Sequence, residues 1–375
     1  MKASPPVVRR SSALAANLGL SERVFSSAAD RAMSRSIDAG LDRVEAGLVR
    51  EVGFADPIAG ESARYLLDAG GKRVRPMLTL LTAQLGDGVV DDVVVAAEAI
   101  EVTHLASLYH DDVMDQSDRR RGVPSAQTVW GNTVAILTGD LLFARASQLM
   151  AGLGERAIRL QASTFERLVM GQLHETTGPR PGEDPVAHYI QVLADKTGSL
   201  IAAAARAGVI FSRADPAYEL PVVEFGERIG VAFQLIDDVI DLSPQPEATG
   251  KVPGTDLRAG VVTLPILRLR EAAATDAASA DLLARIERDV MPASRDAAEA
   301  RDAYDTNTGA VRTIPSATAI DGIVGELREH AVTRATLEEA HRWAREAVEA
   351  LAPLPDGSVK KALTRFAETV VERSS

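Results

Sequence analysis

The chain has 375 residues, of which 46% are hydrophobic and 4% aromatic, with no cysteine and a formal net charge of −12. Disulfides, thiolate metal sites and cysteine nucleophiles are excluded, and a reducing compartment fits. The acidic balance argues against nucleic acid as main partner, because phosphate backbones need clustered Lys and Arg, yet it leaves room for a small phosphorylated ligand in a local cationic pocket.

The first thirty residues are Ser- and Ala-rich and basic at the start, with an Arg9-Arg10 pair. Ser11 to Leu20 is too weakly apolar for a signal segment, so residues 1–30 are expected to form a disordered tail. From about Ala32 onward, apolar residues recur at i, i+3, i+4 and i+7. The expected helices are 32–52, 57–68, 76–86, 91–114, 132–152, 156–177, 184–194, 197–210, 217–242, 262–274, 277–289, 332–351 and 357–373. Val89–Val95 is β-branched but leads into an Ala-rich helical pattern. No period-two run with turn signals stands out, there is no internal repeat, and no stretch of eighteen uncharged apolar residues suggests a membrane span. Gly70-Gly71, Arg121–Pro124 and Pro179–Gly182 punctuate the helices. Ser243–Gly260 is expected as a long loop and Tyr304–Ala317 as a surface insertion. The expectation is an all-α chain, a single helical domain over 31–375.

Asp111-Asp112-Val113-Met114-Asp115 ends an apolar helix, and Asp237-Asp238-Val239-Ile240-Asp241 repeats the pattern late in another. Carboxylates four residues apart share a face, repel one another and oppose the C-terminal helix dipole. Bound cations would offset those costs, and Mg²⁺ takes one or two protein carboxylates while keeping water and phosphate as its other ligands. Gly70-Gly71-Lys72-Arg73-Val74-Arg75-Pro76 places three cations at a helix start, where positive charge opposes the dipole and an anion would relieve it. Arg119-Arg120-Arg121-Gly122 follows the first acidic motif, Lys196-Thr197-Gly198-Ser199 lies between two helices, and Lys251 lies in the long loop. His104 is seven residues before Asp111, on the same helical stripe, and His110 points elsewhere.

Taken in order, GGKRVRP, HLASLYHDDVMDQSDRRRG, KTGSL, FQLIDDVID, GKVPGTD and TLP resemble the trans-type polyprenyl diphosphate synthases, most of all actinobacterial long-chain members. The resemblance covers Ala32 to the end. It implies antiparallel helices around a deep central cavity, a homodimer, and a cytoplasmic enzyme, peripheral to a membrane when product leaves. It further implies three Mg²⁺ ions, with Asp111, Asp115 and Asp237 as ligands and Asp112, Asp238 and Asp241 in support. Lys72, Arg73, His104 and Arg121 match positions that hold isopentenyl diphosphate. Arg120, Lys196, Thr197, Gln234 and Lys251 match positions around the allylic diphosphate. One departure is Gly260-Val261, where the family often carries Gly-Lys.

The implied reaction ionises the allylic substrate, condenses the cation with isopentenyl diphosphate and eliminates a proton, with no protein nucleophile. A chain growing toward the N-terminal end of helix 91–114 would pass Ala106 and Ser107, where short-chain members often place a bulky aromatic. That helix spans roughly 30 Å at 1.5 Å per residue, room for about six to ten isoprene units. The alternatives are a farnesyl or geranylgeranyl diphosphate synthase, a terpene cyclase, or a non-catalytic subunit of a heteromeric synthase. Cyclases usually replace the second DDxxD, and such subunits tend to lose the motifs; this chain keeps both.

Overall fold

The structure, a computed structural model, describes residues 27–243, 253–290 and 317–372. Lys251, most of the expected N-terminal tail and most of the 304–317 insertion lie outside the described residues. The fold is all-α. Sixteen α-helices are described: α1 Ala28–Glu51, α2 Pro57–Asp68, α3 Val74–Thr82, α4 Asp91–Met114, α5 Ala126–Trp130, α6 Asn132–Gly152, α7 Glu155–Thr177, α8 Pro185–Leu193, α9 Ser199–Phe211, α10 Glu219–Asp241, α11 Thr255–Arg258, α12 Leu264–Ala273, α13 Ala277–Asp289, α14 Ala317–Glu329, α15 Ala331–Ala350 and α16 Ser358–Glu372. The one ladder among the described residues pairs Arg119–Arg120 (β1) with Val123–Pro124 (β2).

Several helices begin where short polar side chains can satisfy the first backbone N–H groups. Ser27 and Asp30 form a reciprocal capping box at α1. Asp56 caps α2 and Asp184 caps α8, each followed by Pro at the first helical position. Asp276 caps α13 through Ser279.

The described residues fall into two compact units. The first takes those up to Met170 together with Asp195–Gly230 and Arg345–Thr369. Its centre is α4, which packs against α1, α3, α6 and α9. A helix covered on so many sides is apolar nearly all round, so Val93, Ala97, Ile100, Leu105 and Tyr109 are all buried. α3 and α9 meet closely, with the Thr79 and Thr82 hydroxyls donating to the Ala204 and Ala205 carbonyls at 3.0 and 2.8 Å. The second unit takes Gly171–Ala194, Val231–Ala344 and the residues from Val370. Its core joins Leu242, Ile266, Leu269, Leu282, Ile286 and Leu327.

Helix α6 departs from the usual pattern. It is long and apolar enough to cross a membrane by length and composition alone, with a mean hydropathy of 1.2, yet only 33% of that stretch is buried. One side packs along α4. Ile136 and Leu137 on it are exposed, as are Ile158, Phe165 and Val169 of α7. Phe143 and Phe165 bring the two helices together, ring centroids 4.4 Å apart.

Candidate active site

In the first unit, the acidic motif closes α4, with Asp115 as C-cap, its N–H donating to the Asp111 carbonyl at 2.8 Å. Asp111 is half-buried and Asp115 exposed. Asp112 turns inward and is fully buried; its Oδ1 accepts from Arg120 Nε at 2.6 Å, while Oδ2 has no hydrogen-bond partner. Burial raises its pKa against the pull of Arg120.

Arg120 lies on a hairpin whose two loop residues, Arg121 and Gly122, both have positive φ (53° and 79°). That is the signature of a tight two-residue turn whose twist suits the flanking strands. Arg121 accepts the left-handed conformation, which costs a non-glycine residue about 1–2 kcal/mol. Its guanidinium donates to the carbonyls of Leu66 and Gly70. Arg73, the N-cap of α3, is left-handed as well (φ 49°) and donates to Glu45 of α1, Glu101 of α4 and the Gly70 carbonyl. A side chain on Gly71 would collide with the Arg73 guanidinium and crowd that of Arg121, so this glycine helps them converge.

His104 faces this cationic group. Burial pushes its imidazole well below the ordinary range, and Arg75, Arg121, Arg120 and Arg73 push it further. It is therefore neutral at pH 7, able to donate one hydrogen bond and accept another. Arg75 is pushed down to about 10 by burial and remains charged at neutral pH; its Nε is buried with no partner. Lys72 is exposed beside them in sequence.

Lys196 and Thr197 sit on a single π turn, Ala194–Gly198, between α8 and α9. Such turns widen the helix by one residue and recur at functional sites. Arg167 braces this one, donating to Asp195 at 2.9 Å and to Glu227 of α10. In the second unit, Asp237 is half-buried and Asp238 buried. Tyr189 donates to Asp238 Oδ2 at 2.8 Å, and burial raises the Asp238 pKa well above the carboxylate range. Asp241 Oδ2 accepts from Asp256 N at 3.0 Å and its carbonyl accepts from Gly254 N at 2.7 Å. Gln234 lies one turn before Asp237. Among the described residues, no three carboxylate, imidazole or thiol groups gather tightly enough to hold a metal by themselves. Pairs of half-exposed carboxylates do suit a cation that keeps water and phosphate as most of its ligands.

Residues 56–303 match the model of the family described as polyprenyl synthetase. The chain belongs to that family. It is 47% identical over 246 residues to a nonaprenyl diphosphate synthase of Mycobacterium tuberculosis, covering 64% of this chain and 73% of the relative. It is 31% identical over 339 residues to an octaprenyl diphosphate synthase of Haemophilus influenzae, covering 90% and 95%. A geranylgeranyl pyrophosphate synthase of Corynebacterium glutamicum, solved with calcium and isoprenyl diphosphate, superposes with a TM-score of 0.75 at 34% identity, covering 93% of this chain and 99% of that one. The chain is therefore a prenyltransferase.

Within this polyprenyl synthetase, the expected isopentenyl set of Lys72, Arg73, His104 and Arg121 falls in one unit with Arg120, Lys196 and Thr197. Arg73 is occupied by two glutamates. Arg75, which sequence reasoning passed over, is the cation of the same motif with an unpartnered donor. Nothing in the spacing separates the two; the left-handed backbone at Arg73 does. Ala106 and Ser107 also divide. Ser107 shares the stripe of His104 and Asp111, and its hydroxyl donates to the His104 carbonyl at 2.9 Å. Ala106 shares the stripe of His110, whose ring lies against Gly139 of α6 and whose Nε2 is 3.1 Å from the Ile136 carbonyl.

Proposed function

We propose that this prenyltransferase condenses isopentenyl diphosphate with an allylic diphosphate to make a long-chain, all-trans polyprenyl diphosphate. The observation that carries this is the convergence of Arg75 and Arg121 on a neutral His104, on the helix that ends in Asp111 and Asp115. A diphosphate needs charged donors from several directions, and arginine forks supply them. Lys72, Arg75 and Arg121 hold the isopentenyl diphosphate, with Arg73 bracing them. His104 adds a hydrogen bond without another charge. Arg120, Lys196, Thr197, Gln234 and Lys251 hold the allylic diphosphate.

Asp111, Asp115 and Asp237 are the carboxylates that hold divalent cations, here Mg²⁺; that the Corynebacterium relative was solved with calcium supports a divalent metal. Asp112 and Asp238, buried and committed to Arg120 and Tyr189, are supports, as is Asp241. Three Mg²⁺ ions, when bound, supply Lewis acidity to the departing diphosphate. Lys196 and Thr197 orient that diphosphate and exclude water from the allylic cation. The isopentenyl double bond then attacks, and the released diphosphate takes the proton.

Mycobacterial and Haemophilus relatives named for nonaprenyl and octaprenyl products support a long product. The uncovered apolar residues of α6 and α7 support a homodimer, and the absence of cysteine suits the cytoplasm. Asp111→Ala and Asp237→Ala should each lower kcat by at least about a hundredfold with helical content retained. Near-wild-type turnover by both variants at saturating Mg²⁺ overturns the reading.

A further inference from the structure

Glu101 is 3% exposed, on α4, one turn before His104. A buried carboxylate needs compensating charge. Arg73 Nη1 lies 3.4 Å from its Oε1. The negative charge of Glu101 also attracts the guanidinium groups of Arg75 and Arg121. The other carboxylate on Arg73, Glu45, sits on α1 and is half-exposed to solvent. Among the described residues, Glu101 is thus an acid common to three guanidinium groups that arrive from the α3 start and the β1–β2 hairpin.

Guanidinium groups brought together in a partly dry site repel one another, and an exposed chain would splay them into water. The backbone here resists that at two points, the left-handed Arg73 and Arg121, but a backbone cannot choose a rotamer for a long side chain. We infer that Glu101 is a positioning residue that preassembles Arg73, Arg75 and Arg121 into a receptor for the isopentenyl diphosphate. It leaves the Nε of Arg75 available, since that atom has no partner, and takes its own hydrogen bond from Arg73. The inference rests on the assignment of this cluster to isopentenyl diphosphate.

Removing the acid has two opposed consequences. The net positive charge rises, which by itself favours an anion. The arginines also lose their shared anchor, which disfavours it. Where several donors must meet one diphosphate, placement outweighs an added unit of field. Steady-state kinetics of the purified full-length chain decide between them. Glu101→Gln should raise KM for isopentenyl diphosphate tenfold or more, with KM for the allylic substrate changed less than twofold. Glu101→Asp, which keeps the charge, should recover a large part of the loss. An unchanged or lowered isopentenyl KM in Glu101→Gln overturns the positioning role. If that variant fails to fold by circular dichroism, Glu101→Asp decides alone: its shorter side chain should leave a residual rise of about two- to threefold in the isopentenyl KM, which supports the role, and a wild-type value overturns it. Arg75→Ala serves as the comparator. If it also leaves the isopentenyl KM unchanged, the assignment of the cluster has failed as well; if it raises that KM while Glu101→Gln does not, only the positioning role has failed.

Discussion

Glu98 is 2% exposed, and its carboxylate occupies the space that a side chain on Gly47 would need. Arg50 Nη2 approaches it at 3.3 Å. Burial wins over that pairing and raises the Glu98 pKa from 4.5 to about 7. An acid whose pKa rises on folding binds its proton more tightly in the native state. Its contribution to stability is complete below about pH 4.5 and is lost as pH climbs through 7. Glu98→Gln should therefore match the wild type near pH 4 and be more stable at pH 8, by up to about 3 kcal/mol. Urea denaturation at the two pH values tests this, and equal differences at both would refute it. Neighbouring Glu101 shows how differently one helix treats two acids: one faces an arginine cluster, the other a glycine.

At the level of single elements, the stripes of α4 separate two residues that lie side by side in sequence. Ser107 shares its stripe with His104 and Asp111, whereas Ala106 shares that of His110 and is fully buried. Ser107→Phe should shorten the product while isopentenyl turnover persists. Ala106→Phe should instead destabilise the fold by about 1–3 kcal/mol through overpacking. Chromatography of the products and thermal melts of both variants distinguish these outcomes; wild-type product length from Ser107→Phe would place the cavity wall elsewhere. Helical periodicity marks out 57–68, 132–152 and 277–289 with the bounds observed, because each has a full apolar face and a clear start. Other elements leave no such trace. The π turn at 194–198 is a single register shift, α5 is too short to show a period, and the Arg119–Pro124 ladder is two residues per strand. α14 begins at Ala317, and the Asn, Thr, Gly and Pro that precede it in sequence hide its start. The site was legible as clustered charge, since acidic and basic runs are local. Its division of labour was not. Arg73 finds Glu45 and Glu101 each 28 positions away, and Arg167 finds Asp195 at the same separation and Glu227 60 positions away. Such pairings depend on tertiary contact, which leaves no local spacing to read.

For the whole molecule, the feature that matters most is the apolar surface left open on α6 and α7, where Leu137 is 60% exposed. Asp140 and Arg145 interrupt α6, and one side packs on α4, so a second protein surface suits it better than lipid. In the proposed homodimer, Leu137→Asp should shift the chain toward monomer in analytical ultracentrifugation. A monomeric wild type at micromolar concentration would remove the basis for that expectation.

An apolar helix left uncovered also makes folding a question of mass action. If a second copy binds only the native fold, each doubling of protein concentration draws the equilibrium further from the unfolded chain. The midpoint of thermal unfolding should then climb with concentration, and specific activity should sag on dilution at the pace of dissociation. Such a protein reports its own abundance: a cell that makes too little of it holds a smaller active fraction as well as fewer molecules.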